Sequence, residues 1–369
     1  LKGLAGSDSK LGGWEMFRGN PCGIAIESFA IGHLDTVYWQ KKIGGRVYAS
    51  PIITGGVGVL SALDKRTYFF DVETGETLGK LKSRAPLVSS PAGVGILVYF
   101  AAEKSDGRLR CVNIANRKTI WELKLRDVSA PIITTDHDLF IGNNPGVFYS
   151  VNRFTGDVNW EDSIGGAIIG GAAVSDELVF VGSAQGRIRC YRHDGELLWE
   201  YDAGSAVMST PAVSQHCYVT LFDGRLIALD KSSGLLAWSF STDGSTLGSP
   251  VVDDKTVFFG SNDRSFYAVS ARDGSLVWKK NLGGICSATP LVASDEIAIG
   301  CRDGRLVFLD KLTGIERFVL RTKGRIFSSP VAFGGRIYLA TADKLLYCIG
   351  SSTARINATS AKTAASLSE

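Results

Sequence analysis

Histidine is scarce in this chain. His33, His137, His193 and His216 are the only four in 369 residues, and none stands in an H-E-x-x-H or other paired spacing, so a His-based metal motif is missing. Cysteine is present but unpatterned. Cys22, Cys111, Cys190, Cys217, Cys286, Cys301 and Cys348 include no C-x-x-C and no adjacent pair, which predicts no zinc site, no disulfide framework and seven free thiols. A G-x-S-x-G elbow and a phosphate-binding P-loop are also lacking. No apolar run approaches the roughly 20 residues that span a bilayer as a helix. Neither sign of charge dominates: 40 Lys and Arg oppose 37 Asp and Glu, a net +3, too little to call for a nucleic-acid partner. Apolar residues at helical spacing are absent.

Glycine is plentiful, at 43 residues, as suits many strands joined by tight turns. The chain also repeats itself. Pro51, Pro91, Pro131, Pro211, Pro250, Pro290 and Pro330 each follow a small residue, and Gly171-Ala172 fills the one double gap, so eight strand entries recur at 39 to 41 residues. A second series, Trp39, Trp121, Trp160, Trp199, Trp238 and Trp278, has Gly79 and Phe318 in its two other slots. Seven of the eight gaps from this series to the next entry are 12 residues, and Trp121 to Pro131 is 10. Within a period four short strands alternate with Asp, Asn and Gly turns; in the sixth they are 249–252, 256–260, 265–269 and 276–280. Four strands in about 40 residues is the signature of a propeller blade. The expected fold is all-β: an eight-bladed β-propeller of four-stranded antiparallel blades. The first regular strand ends on Trp39 and the last, 344–349, has no successor, so both chain ends are expected to complete one composite blade and close the ring.

Three segments follow from this reading. Residues 1–36 are an N-terminal extension expected to pack on the propeller, 37–350 the propeller, and 351–369 a flexible Ser-, Thr- and Ala-rich tail. The start at Leu1 is expected of a processed or trimmed chain, and the tail carries one N-x-T sequon, at Asn357.

Tyr267-Ala268-Val269, Asp273-Gly274-Ser275-Leu276-Val277-Trp278 and Ala288-Thr289-Pro290, with Leu229-Asp230, Ser233-Gly234-Leu235-Leu236-Ala237-Trp238 and Gly248-Ser249-Pro250, resemble the pyrroloquinoline-quinone-type (PQQ-like) repeat, from about Thr36 to Gly350. Trp14-Glu15-Met16-Phe17-Arg18-Gly19-Asn20-Pro21 is similar to the lead-in of free-standing bacterial members. The resemblance implies that the six Trp residues dock each blade on its neighbour. It points first to the outer-membrane assembly lipoprotein BamB and its kin, which are non-catalytic scaffolds that bind proteins. It also reaches the quinoprotein dehydrogenases, with quinone and calcium on the propeller axis, and the propellers appended to β-alanine-activating (acyl-adenylating) enzymes or to some kinases. A BamB-like role implies a periplasmic or outer-membrane site, and an appended domain a cytoplasmic one.

The residues favour the scaffold. Blades are uniformly short and lack the adjacent cysteines of the quinoproteins. The acidic pairs Asp136 with Asp138, Asp176-Glu177, Asp253-Asp254 and Asp295-Glu296 fall at equivalent turns between first and second strands, as repeated solvated residues and not as converging calcium ligands. No catalytic, cofactor or metal residue is therefore assigned. A protein partner, no nucleic acid and a monomeric propeller are expected. Basic residues recur on two loop sets that a propeller places on one face: Arg108, Arg187, Arg225 and Arg305 in hairpins between second and third strands, and Arg46, Arg84, Arg126, Lys323 and Arg325 in loops entering first strands. These are the candidate contacts for an acidic partner. Ser50, Ser90, Ser209, Ser249 and Ser329 are the expected channel-lining entries.

Overall fold

A computed structural model describes residues 13–25, 34–104 and 107–352. The expected tail beyond Ser352, the sequon, His33 and Asp106 lie outside them. The described residues form 32 strands in eight four-stranded antiparallel sheets and no helical element. Blade 1 consists of Ile52–Thr54, Val57–Ala62, Arg66–Asp71 and Thr77–Lys82, running from the channel outward. The next six blades repeat this order. Second and third strands are buried on both faces between neighbouring sheets, whereas outer strands such as Thr77–Lys82 alternate between half-buried and exposed. This gradient explains the apolar runs at 57–60 and 67–70 beside the charged rim strands.

The ring closes as expected. Thr36–Lys42 pairs antiparallel with Leu345–Gly350, Trp39 opposite Cys348, and becomes the outer strand of a blade begun by Val331–Phe333. Ser352 donates from its N–H and its hydroxyl to the Asp35 carboxylate, each at 2.8 Å, so the two ends are clasped.

One entry is shifted. Ile52, Ala92 and Ala173 sit opposite Val59, Tyr99 and Phe180, but in blade 3 the matching Phe140 faces Ile133. The strand therefore enters at Ile132, and Pro131 takes the place held by Gly171 in blade 4 and by a serine or threonine in the others. Of the two residues missing from the Trp121–Pro131 gap, this offset accounts for one, and the loop itself is shorter by the other.

The tryptophans hold blade to blade by one recurring arrangement. In five blades the third strand ends on an Asp or Asn whose side chain accepts from the N–H groups two and three residues on, and in blades 4 and 6 Arg192 and Ser270 hold that place. Asp310 does so from Leu312 and Thr313. The turn ends on a glycine at positive φ, 68° at Gly314. A Cβ there would lie 2.6 Å from Trp278 of the preceding blade, whose Nε1 donates to Lys311 O at 3.1 Å. Trp39, Trp121, Trp160, Trp199 and Trp238 lie likewise against Gly75, Gly156, Gly195, Gly234 and Gly274, donating to Val72, Arg153, His193, Lys231 and Ala271 carbonyls. The large ring covers a backbone that only glycine leaves bare, and its one donor is satisfied.

The two slots without tryptophan have separate reasons. Gly79 faces Arg117, which stands in left-handed conformation (φ 58°) where the other hairpins have glycine, and a Cβ on Gly79 would lie 2.5 Å from Arg117 Nε. The bare backbone is now on the outer strand, and a guanidinium side chain from the hairpin covers it. Gly79→Trp alone is expected to destabilise by ~1–3 kcal/mol, and adding Arg117→Gly to recover most of the loss, a coupling that a double-mutant cycle in urea reads directly. Phe318 borders the composite blade, whose third and outer strands come from opposite chain ends. It stays 37% exposed.

The same turns carry a pH signature. Hydrogen bonds from Thr313, with Arg317 beside it, pull Asp310 from 3.8 to about 2. A carboxylate depressed on folding stabilises above its unfolded pKa, and that contribution is lost as pH falls through the folded value. Between pH 4 and 2, Asp310→Asn is expected to flatten the fall in stability, as acid titration of the urea midpoint will show.

Candidate functional site

The axial channel is built from the loops that enter the first strands. Tyr48, Val88, Ser129, Ile169, Met208, Leu247, Ser287 and Phe327, one per blade, line one end of a cavity of about 200 Å³. Deeper lies a hydroxyl ring. Ser50 N–H donates to Ser90 Oγ (2.9 Å), Gly171 N–H to Thr210 Oγ1 (2.7 Å), Thr210 N–H to Ser249 Oγ (2.9 Å) and Ser329 N–H to Ser50 Oγ (2.9 Å). The last bond joins the final blade to the first. At blade 3 the two absences match: Pro131 has no N–H to give and Gly171 no hydroxyl to receive it. The expected Ser209 is one residue out of line. Thr210 holds its ring position, and Ser209 Oγ turns away to donate to Thr220 O. These hydroxyls are engaged in joining blades.

The channel is stopped by residues 13–25, which wrap its inner wall as a strap. Ile53 N–H donates to Trp14 O, Gly93 to Glu15 O, Val174 to Pro21 O, Val213 to Cys22 O and Val252 to Gly23 O. Phe17 reaches the cavity. Arg18 is 5% exposed; its Nη1 donates to Thr210 O and Pro250 O, and burial draws its pKa down to about 9, so it stays cationic at neutral pH. The sequence offered Trp14 to Pro21 as a packing segment, without this route.

The candidate basic residues divide into two groups. The hairpin arginines are committed within their own blades: Arg108 to Glu122 (3.1 Å), Arg225 to Asp223 (2.6 Å), Arg305 to Asp303 (2.7 Å) and Arg187 to Glu200. Arg46, Arg84, Arg126, Lys323 and Arg325 on the entry loops are exposed. Tyr48 and Phe327 meet edge to face at 5.4 Å at the channel mouth, with the Arg302 and Arg325 guanidinium groups 5.4 and 5.9 Å from the Phe327 ring. Cations and aromatics thus share one rim, a composition suited to recognition. Several acidic turn residues are paired on the opposite side: Asp176 with Lys231, Asp253 with Lys311, and Asp295 and Glu296 with Arg317.

The expectation of seven free thiols is overturned at one pair. Cys286, before the first strand of blade 7, and Cys301, at the end of its second strand, form a disulfide. Their separation of 15 residues matches no motif; the blade's own hairpin brings their Cα atoms to 4.0 Å. Cys111, Cys190, Cys217 and Cys348 are free and buried, and burial pushes Cys111 and Cys348 to about 11 and Cys190 to about 12. Such thiols stay protonated and unreactive at neutral pH.

A quinone with calcium on the axis would need carboxylate oxygens for the metal and polar or cationic partners for the quinone's acidic groups. The cavity lining contains no charged side chain, and among the described residues no three of His, Cys, Asp and Glu converge. The volume also falls below the roughly 300–1,000 Å³ of small-molecule clefts. The lining does not fit that group.

Eight four-stranded blades, one docking residue per outer strand and a small-residue ring on the axis define a PQQ-like β-propeller. The family model described as outer membrane protein assembly factor BamB matches residues 34–193, 146–221 and 215–366, and the chain belongs to that family. BamB from Moraxella catarrhalis superposes with a TM-score of 0.72 at 16% identity, over 86% of this chain and 99% of that one. The quinohemoprotein alcohol dehydrogenase of Comamonas testosteroni gives 0.76 at 12%, over 92% and 81%. Identities this low show a shared fold. The β-alanine-activating enzyme of Danio rerio is 33% identical over 97 residues, 24% of this chain but 8% of that enzyme. The match therefore spans less than a tenth of the curated relative. No helix among the described residues is long and apolar enough to cross a membrane.

Proposed function

We propose that this protein is a non-catalytic interaction scaffold of the BamB type. It works in assembly at the outer membrane as a monomeric propeller over residues 37–350, with 1–36 and 351–369 as appendages. It uses no cofactor and no nucleic acid, and its partner is a protein with an acidic surface. The observation that carries this reading is the entry-loop rim, where Arg46, Arg126 and Arg325 are exposed on the face that bears the Tyr48–Phe327 pair, while the cavity behind is narrow and lined by no charged side chain. Arg84 belongs to the same rim. The paired Arg108, Arg187, Arg225 and Arg305 add surface potential more than direct contacts.

Photo-crosslinking residues at positions 46, 126 and 325 in living cells test it. They are expected to trap one protein species, and a residue at position 254 on the opposite hairpins to trap none of it. Equal trapping from both faces would remove the rim from the proposal. The matches to β-alanine-activating enzymes favour a second reading, a regulatory module of a larger acyl-adenylating enzyme, and a trapped adenylating domain would establish it.

A further inference from the structure

The strap's carbonyls reach the first strands of blades 1, 2, 4, 5 and 6 and pass over blade 3. There the segment turns back, Gly19 N–H bonding Met16 O, with Arg18 and Gly19 at positive φ (67° and 78°). Thr134 sits opposite Leu139 as Ile53 sits opposite Gly58 and Val174 opposite Val179. It thus holds the position whose N–H the strap takes in the other five blades.

A recess of about 430 Å³ opens at this skipped position, within the range of small-ligand clefts. Its apolar wall is Met16, Pro21, Val94 and Val174, and its acidic groups are Glu15, Asp136 and Asp176. Two polar groups in the lining are unused. Thr134 is 2% exposed and its Oγ1 has no hydrogen-bond partner; the buried Nε2 of His193 has none either. Neither lysine nor arginine lines the recess. The neighbouring cations are the buried Arg18, whose charge acts on Cys22 in the lining, Lys231, 3.3 Å from Asp176, and Arg153, whose Nε is spent on the Asp136 carbonyl. Glu15 Oε1 accepts from Thr54 and Gly95, and the Asp136 carboxylate has no ion-pair partner among the described residues.

We propose that this recess binds the lysine or arginine side chain of an extended peptide segment. The alkyl stem lies along the apolar wall, the cationic head meets Asp136 and Glu15, and a peptide carbonyl takes the strand position at Thr134 that the strap leaves open. Strand-edge pairing supplies the backbone anchor and the acidic recess the side-chain selectivity. The site lies by the turns between first and second strands, on the face opposite the entry-loop rim, and stands independently of the function proposed for that rim.

The test titrates the full chain with N-acetyl-Ala-Lys-Ala-amide, its arginine and norleucine counterparts, and n-butylammonium chloride, each followed by calorimetry. Cys22 lines the recess and is the one free cysteine not fully buried, so its alkylation by N-ethylmaleimide gives a second reading of occupancy. The lysine and arginine peptides are expected to bind saturably and to slow Cys22 alkylation. The norleucine peptide is expected to bind ~10-fold more weakly or worse, and Asp136→Asn to weaken the lysine peptide ~10-fold. Val94→Phe, with its melting curve unchanged, is expected to abolish binding by filling the recess. Norleucine binding as tightly as lysine, or unprotected Cys22 at saturating peptide, overturns the proposal. Butylammonium binding as tightly as the peptides would assign the site to free amines and overturn the peptide anchor.

Discussion

A chain ending at Asp343 is expected not to form a closed ring. The deletion removes Leu345–Gly350, in which Leu346, Tyr347, Cys348 and Ile349 are at most 2% exposed. It also removes the one strand among the described residues that Thr36–Lys42 pairs with. At roughly 1.5–3 kcal/mol per buried large side chain the loss approaches 10 kcal/mol, which matches the whole stability of a typical domain at about 5–15 kcal/mol. The remaining two strands of the last blade would present an unpaired edge, a template for association. The expected result is loss of a cooperative thermal transition and a shift to large species on size exclusion. A chain ending at Ser352 keeps the Asp35 clasp and is expected to melt as the full chain does. A monomeric, cooperatively melting product from the shorter chain would show that closure is not what holds the ring.

Trp199→Ala is expected to give the largest loss from a single side chain, ~3–5 kcal/mol in urea unfolding. The indole is 8% exposed, lies 5.9 Å from the Phe180 ring, covers Gly234 and donates to Lys231 O at 3.1 Å. Truncation empties the seam between two blades and orphans a carbonyl. Trp199→Phe keeps most of the area and is expected to cost ~1–2 kcal/mol, the share of the lost hydrogen bond and its unpaired acceptor. Phe318→Ala occupies the same slot beside the composite blade, where none of the described glycines lies under the ring, and its cost is expected to stay near ~1 kcal/mol. A loss at Phe318 equal to that at Trp199 would mean that rim burial alone, and not the ring–glycine contact with its hydrogen bond, sets the energy.

Much of the architecture was legible because the repeat writes each blade in the same few residues. Proline or a small residue opens the first strand, Asp and Gly close the third, and Trp marks the outer. Where a residue departs from its slot, the partner that explains it lies in another blade. Gly79 reads as a gap until Arg117 is seen across the seam. Pro131 reads as a regular entry until the pairing of Ile133 with Phe140 moves the strand by one. Ser209 reads as channel-lining until Thr210 is found to hold the ring. Cys286 and Cys301 read as two of seven free thiols because fifteen residues of hairpin hide their proximity.

The candidate surface was legible in kind and not in detail. Charge counts along the chain picked out both loop sets. They did not distinguish Arg187, tied to Glu200 on the adjacent outer strand, from Arg126, exposed on an entry loop. The strap was visible as an aromatic lead-in, but its path along five first strands, and the recess it leaves at Thr134, had no local signal.

The sequence by itself determined the number of blades, the four-stranded order within each and the closure by both ends. Blade number and strand order rest on contacts between residues a few positions apart, repeated along the chain, so local pattern suffices, and closure follows from the incomplete repeats that this pattern leaves at its two ends. Only the tertiary structure decided which charges are free, which hydroxyls are spent on the ring and where the strap leaves the inner wall uncovered. Those depend on which side chains the ring sets against one another, and a hydrogen bond or ion pair across a seam draws on residues 20 to 300 positions apart, which no local pattern records.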